Sequence, residues 1–248
     1  MTVAEPGTRG GEEFPEEGEY GGRDLESMAG AKNYYAWIID EFAPYLGAKG
    51  AEVGAGSGTF SEILASTGLS HLTSFEPSPN MYALLEKRFQ GRARVETRQA
   101  YVEDVAHLYP GAFDSVTYVN VLEHVRDDLR ELRIAGGMLA PGGHLLLFVP
   151  AHQLLYSPFD RECGHYRRYN KKDLSEIVER SGLSIRTVKY FDVPGAFAWF
   201  LMFVLLRRTL TGGSVRAYDR LVVPLARKTE KIVPPPFGKN LLLVARKK

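Results

Sequence analysis

Two clusters in this 248-residue chain combine residue types and spacings that can do chemistry. The first is Glu52-Val53-Gly54-Ala55-Gly56-Ser57-Gly58, where alternate glycines remove the Cβ atoms that would keep a ligand away from the backbone. Glu76, directly after Phe75, stands where a carboxylate accepts both hydroxyls of a ribose. Tyr101-Val102-Glu103-Asp104 offers an apolar surface beside acids, suited to a purine with an exocyclic amine. A dinucleotide fingerprint has a third glycine at its sixth position to aim a helix N-terminus at a pyrophosphate. Here that position is Thr59, so the turn fits a nucleoside ligand lacking a pyrophosphate, and a nicotinamide-dependent dehydrogenase ranks last. The bland alternative is a tight strand-to-helix turn with no ligand.

The second cluster contains Asn120, Glu123 and His124, then His152, then Asp160, Glu162 and His165. Imidazoles and carboxylates converging from separate loops can take protons or hold a cation. The competing reading makes His124 a helix-orienting residue and His165 a satisfied structural histidine. His144 opens a strand and is expected at the opposite edge of the sheet, and His71 and His107 read as surface or packing residues. Arg167 and Arg168 are suited to gripping an anion, although such pairs are commonly surface features. Cys163, the one cysteine, has no disulfide partner in the chain.

These clusters need rigid elements behind them. Short β-rich runs at 49–53, 71–75, 93–97, 114–119 and 144–149 alternate with helical periods at 27–46, 57–67, 79–89 and 126–139, the last stopped by Pro141-Gly142-Gly143. That alternation predicts a parallel sheet whose strand ends present both clusters at one edge. A helix at 171–181 with Asn170 as N-cap leads to a strand at 184–190, and a last strand is expected at 240–246.

Composition sets the outer limits. Hydrophobic residues at 44% and charged residues at 25% are globular values, and 31 basic against 30 acidic side chains leave a net charge of +1, so no whole-protein field draws the chain to nucleic acid. Residues 1–20 hold six glutamates and almost nothing apolar, which predicts a disordered acidic tail over 1–25 before one domain at 26–248. A basic C-terminal end, from Arg227 to Lys248, balances it in sign. Val193–Leu206 is uncharged over fourteen residues, short of the roughly 20 a spanning helix needs. It is expected as a substrate-covering or dimer-forming helix, with contact at a membrane surface as the alternative. The absence of a secretory leader pattern and the lone cysteine predict a reducing, cytoplasmic setting.

Glu52-Val-Gly-Ala-Gly-Ser-Gly, Glu76, the Glu103-Asp104 turn, Asn120-Val-Leu-Glu-His124 and Leu139-Ala-Pro-Gly-Gly together resemble class I methyltransferases that depend on S-adenosylmethionine (SAM). Asp160-Arg-Glu-Cys-Gly-His-Tyr-Arg-Arg-Tyr169 and Pro236-Phe-Gly-Lys-Asn-Leu-Leu-Leu-Val-Ala245 are similar to a bacterial subgroup associated with glycan assembly, including methylmannose-polysaccharide O-methyltransferases. The resemblance implies an α/β, Rossmann-like, seven-stranded and mostly parallel sheet with helices on both faces. Its last strand would be antiparallel beside the fifth, and helical segments near 152–182 and 193–232 would cover the acceptor. It further implies a donor site of Glu52, Gly54, Ala55, Gly56, Gly58, Glu76, Pro77, Met81, Tyr101, Val102, Glu103 and Asn120.

Methyl transfer from a sulfonium is an in-line displacement with an activated donor, so the protein mainly positions the partners and prepares the nucleophile. Glu123-His124 with a later histidine is also similar to metal-assisted O-methyltransferases acting on catechol-like ubiquinone precursors and RNA 3′ ends. That likeness implies Glu123, His124 and His165 as ligands of Mg²⁺ or another divalent cation. A further acid of those families falls at Asn120, which weakens a hard-cation site. Without metal, His124 or His165 would be the general base. The expected acceptor is a sugar or oligosaccharide hydroxyl; the alternatives are a quinone-like or lipid acceptor, or a SAM-binding module without turnover.

Overall fold

The computed structural model describes residues 30–206 and 212–248. The expected acidic tail and Arg207-Arg208 lie outside the described residues. Seven strands form one sheet: β1 (Lys49–Val53), β2 (His71–Phe75), β3 (Val95–Arg98), β4 (Phe113–Val119), β5 (Leu139–Pro150), β6 (Ser184–Phe191) and β7 (Asn240–Arg246). Their order is β3-β2-β1-β4-β5-β7-β6, with β7 antiparallel to both neighbours and the other pairs parallel. This is the expected Rossmann-like arrangement, with the last strand inserted beside the fifth.

Helices cover both faces, and period-two alternation in the central strands shows why. Leu145, Leu147 and Val149 of β5, with Leu241, Leu243 and Ala245 of β7, pack into one core with Leu132, Ala135 and Met138 of α5 (Asp128–Met138) and Leu174 and Val178 of α7 (Lys171–Arg180). Leu146 and Phe148, with Leu242 and Val244, pack the other way against Tyr34, Ile38 and Phe42 of α1 (Lys32–Phe42). Burying such a side chain is worth about 1.5–3 kcal/mol, so these strands lock the sheet on both sides.

The differences from expectation have local causes. The helix expected at 27–46 is α1 followed by a 3₁₀ turn at Ala43–Tyr45, where Pro44 supplies no N–H. β5 begins at Leu139, earlier than 144, because Leu139 pairs with Phe113 ahead of a register shift that absorbs Pro141-Gly142-Gly143. Asn170 stands at the N-cap of α7 without capping it; its Nδ2 donates to Asp173 Oδ2 at 3.2 Å. α7 was expected in the acceptor cover, but its buried Leu174 and Val178 place it on a sheet face instead.

The segment over the second cluster comprises α6 (Pro158–Glu162), α8 (Val193–Trp199) continuing as a π-helical turn at Phe200–Leu205, α9 (Gly212–Leu221) and α10 (Val223–Ile232). Asp192, at φ 66° and fully buried, accepts the Gly195 N–H at the start of α8 (2.9 Å) and the Tyr218 hydroxyl of α9 (2.5 Å). Asp219 of α9 accepts the Asn33 and Tyr34 N–H groups at the start of α1. The cover is thereby tied to the body by buried carboxylates that satisfy helix-terminal donors. Gly195, Ala196 and Phe203 of the uncharged segment are buried, while Phe197, Phe200, Leu201 and Leu205 are exposed. No helix among the described residues is long and apolar enough to cross a membrane.

Candidate active site

The loop from β1 to α2 (Thr59–Ala65) is fixed by its backbone before any ligand is considered. The Gly54 and Ala55 N–H groups both donate to Phe75 O, at 2.9 and 3.0 Å. Gly54 has φ 71°, and a Cβ there would lie 2.5 Å from Val121 Cγ2. Glu76 Oε2 accepts the Gly56 N–H at 2.7 Å and Oε1 accepts the Ser78 N–H at 2.9 Å. A carboxylate has about four lone-pair sites, so each oxygen retains one for a ligand hydroxyl. Burial pushes the Glu76 carboxyl up against the pull of those N–H bonds.

Beside it Glu52, 3% exposed, accepts from Ser74 Oγ at 3.0 Å. Burial raises it to about 7, with the nearby Glu76 adding to the rise. Two buried acids beside a glycine turn suit a ligand with hydroxyls and positive charge, and the cavity they line has a volume of about 500 Å³.

Ten of the twelve expected donor-site residues line that cavity: Glu52, Gly54, Ala55, Gly56, Glu76, Pro77, Tyr101, Val102, Glu103 and Asn120. Gly58 and Met81 do not. A Cβ on Gly58, at φ 80°, would meet Leu85 Cδ1 at 2.8 Å and Phe89 Cε2 at 3.0 Å, so its missing side chain lets α2 abut α3 (Pro79–Phe89). Met81 is 9% exposed in the first turn of α3 and belongs to the packing. Glu103 Oε2 is paired with Arg130 at 3.0 Å, so the amine-binding role expected of it meets a competing cation.

A second cavity, of about 220 Å³, lies under the cover. Asn120 lines both spaces; its φ of 54° is one an asparagine tolerates. His124 lines the first cavity, while Glu123 and His165 line the second. One possible ligand atom from each of these three lies within 4.8 Å of the others. Glu123 is fully buried and neither of its carboxylate oxygens has a hydrogen-bond partner among the described residues. Burial raises it to about 7, opposed by His165 and Arg168. Burial, and His165 beside it, lower His124 to about 4.

His165 is oriented by Asp160, whose Oδ1 lies 2.8 Å from Nδ1, leaving Nε2 as the nitrogen free for chemistry. Asp160 is itself held by Ser157 and by Arg168 Nε at 2.8 Å. These bonds keep its carboxyl below the ordinary value although burial alone would raise it. Tyr156 secures His165 O and the Tyr166 N–H secures Glu123 O. His144, pairing with Ser115 and Arg246, lies at the other edge of the sheet as expected.

A family model described as "Methyltransferase domain" matches residues 30–188. The chain belongs to that family. A ubiquinone biosynthesis O-methyltransferase of Xanthomonas campestris is 36% identical over 102 residues, 41% of this chain and 42% of that protein. The one from Chromobacterium violaceum is 27% identical over 165 residues, 61% and 71% respectively. The chain thus spans less than half the length of the first of these relatives. Among solved structures, an S-adenosylmethionine dependent methyltransferase from Mesorhizobium loti superposes with TM-score 0.59 at 18% identity, over 87% of this chain and 98% of that one, a likeness of fold.

In this methyltransferase domain the sequence signals missed several lining residues. Tyr35, Arg130 and Glu131 line the first cavity, and Tyr34, Phe203, Lys239 and Asn240 the second. Lys239 and Asn240 fall in a stretch that carried the family likeness but no assigned role. Phe203 and Tyr34 look like core residues in any sequence pattern, and only the closing of α1 against the cover turns them toward the cavity.

Proposed function

We propose that this methyltransferase moves the methyl group of SAM to a hydroxyl oxygen on an aromatic, catechol-like ring. The observation that carries the reading is the position of Glu123, His124 and His165 across the wall between two cavities that share Asn120. The first cavity fits the donor: Glu76 has lone pairs left for the ribose hydroxyls, the turn at Gly54 and Gly56 admits close approach, and Glu52 offers charge to a cationic ligand. When bound, SAM supplies an activated methyl group, and the protein's part is alignment, exclusion of water and removal of the acceptor proton.

The second cavity favours a ring. Phe159, Trp199 and Phe203 form one wall, with centroids 4.3–5.7 Å apart, and Trp199 is fixed by its Nε1–H to Leu155 O at 3.0 Å. At about 220 Å³ the space is below the roughly 300–1,000 Å³ of pockets for drug-sized ligands, which suits one substituted ring better than an oligosaccharide. The named activity of the ubiquinone-pathway relatives points the same way.

The three-residue cluster also fits a divalent cation. Glu123 brings two unpartnered oxygens, and burial keeps His124 neutral and able to ligate. Glu123, His124 and His165, with one ligand atom each within 4.8 Å of the others, are the residues that would hold such an ion. A bound cation would supply Lewis-acid stabilisation of the acceptor oxygen. His165, oriented by Asp160, would hold its place in that shell or take the hydroxyl proton in its absence.

The test incubates purified protein with SAM and either catechol or methyl mannoside, with and without EDTA, and detects methylated product by mass spectrometry. Methylated catechol that disappears with EDTA and returns with Mg²⁺ is expected. Product that survives EDTA removes the metal and leaves His165 as base. Methylation of the mannoside alone replaces the aromatic acceptor with a sugar. SAM binding with no product from either acceptor favours a module without turnover.

A further inference from the structure

The acceptor-side cavity contains two cations in different states. Arg168 is 5% exposed and turned onto protein acceptors: Nε and a terminal nitrogen each lie 2.8 Å from Asp160 Oδ1, and the other terminal nitrogen donates to Ala151 O at 3.4 Å. Lys239 is not. Its backbone N–H is fixed to Asp192 O at 3.0 Å, and its ammonium lines the cavity. The Nζ stands over the rings of Tyr34 (4.8 Å) and Trp199 (5.8 Å), and its ion pair with Asp192 Oδ2 measures 3.7 Å, beyond hydrogen-bond length.

Asp192 spends Oδ1 on Gly195 and Tyr218, and its Oδ2, which has no hydrogen-bond partner, faces Lys239 across the 3.7 Å ion pair without accepting a hydrogen bond from it. Asp219 is spent on the N–H groups opening α1. The Lys239 side chain is 20% exposed and makes no hydrogen bond to the Asp192 carboxylate, so its ammonium keeps donors for an anion in the cavity, and a charge-assisted hydrogen bond is the strong kind. Asn240, whose Oδ1 is taken by the Tyr34 hydroxyl, lines the same wall.

Building on the proposed O-methyl transfer, we propose that the acceptor is a hydroxylated aromatic ring bearing a carboxylate, which Lys239 binds while Trp199 and Phe203 hold the ring. The cluster of Glu123, His124 and His165 then faces the hydroxyl rather than the acid group. Lys239 is in this account a specificity-determining residue: it selects the charged acceptor over its neutral analogue.

The experiment is calorimetric titration of the full chain, saturated with S-adenosylhomocysteine, with protocatechuate (catechol bearing a ring carboxylate) and with catechol itself. The wild type is expected to bind protocatechuate roughly tenfold or more tightly than catechol. Lys239→Gln should collapse that ratio toward one, and Lys239→Arg, which keeps the charge, should retain most of it; melting curves check that both variants fold. Equal affinities in the wild type, no measurable binding of protocatechuate, or a preference that survives in Lys239→Gln each overturns the proposal. The two readings fail separately. Methylation of catechol without carboxylate preference keeps the transfer and removes the lysine's role, whereas a Lys239-dependent preference without methylated product does the reverse.

Discussion

The cavity at the end of β1 and the cavity under the cover meet at Asn120, yet they are assembled in opposite ways. The first is made by strand ends and the turns directly after them, with the Glu76 carboxylate held in place by the backbone N–H groups of Gly56 and Ser78. Its shape follows from the sheet, and the turns after β1, β2, β3 and β4 contribute most of its wall. The second draws side chains from α1, β5, the 150–168 segment, α8, α9 and the start of β7, and its polar atoms are side chains tied to other side chains. A backbone-built site keeps its ligand while sequence drifts around it. A side-chain-built site changes acceptor with a few substitutions, so this contrast separates a fixed donor from a variable acceptor.

The contrast is broken most forcefully at the wall between the cavities. His165→Ala and Glu123→Gln are each expected to lower turnover roughly 10²–10⁴-fold while leaving SAM affinity nearly unchanged. Single-turnover rates and calorimetry read the two quantities separately. A parallel fall in affinity would mean that the two cavities are one site.

Next in size is Glu76→Ala. Each of its oxygens already holds a backbone N–H, so the loss removes ligand contacts and loosens the loop, costing about 1–3 kcal/mol of SAM binding. Acceptor affinity measured by titration should not move. If it moves as much as donor affinity, the independence of the two regions is refuted.

Glu52 sharpens the comparison through pH. Burial raises its carboxyl to about 7, above the ordinary 4.5, so the folded protein favours the protonated form. The stability linked to this group is present in full below pH ~4.5 and is lost as pH rises through about 7. A cationic ligand prefers the carboxylate, so SAM affinity should climb roughly tenfold between about pH 6 and about pH 8, following the ionised fraction. Glu52→Gln should flatten that rise, and calorimetry across the range decides it. An equal slope in both proteins would assign the pH dependence to another group.

The same contrast explains what the sequence could show. The glycine turn and Glu76 are one strand apart in space because β1 and β2 are parallel neighbours, so local spacing carried the geometry. Glu123 and His165 were visible as types, but the Asp160 contact that orients His165 depends on the capping box joining Ser157 to Asp160, which spacing alone does not reveal. Tyr34, Phe203 and Lys239 are brought together only after α1, the π-helical continuation of α8 and the chain entering β7 close, across some two hundred residues of chain. In the fold, strand identities followed from apolar runs, while the early start of β5 depended on a cross-strand partner, Phe113, that no local pattern encodes.

The smallest effect on binding, and a check on the division within the glycine turn itself, comes from Gly58. The turn's glycines share a pattern but differ in role, since Gly54 and Gly56 line the cavity and Gly58 does not. At φ 80° an alanine is strained by about 1–2 kcal/mol, and its Cβ would press on Leu85 and Phe89. Gly58→Ala should therefore lower the melting temperature by several degrees while the folded protein binds SAM with affinity within about twofold of the wild type. A large loss of affinity at unchanged stability would return Gly58 to the ligand's side of the turn, and the α2–α3 contact would lose its claim on that residue.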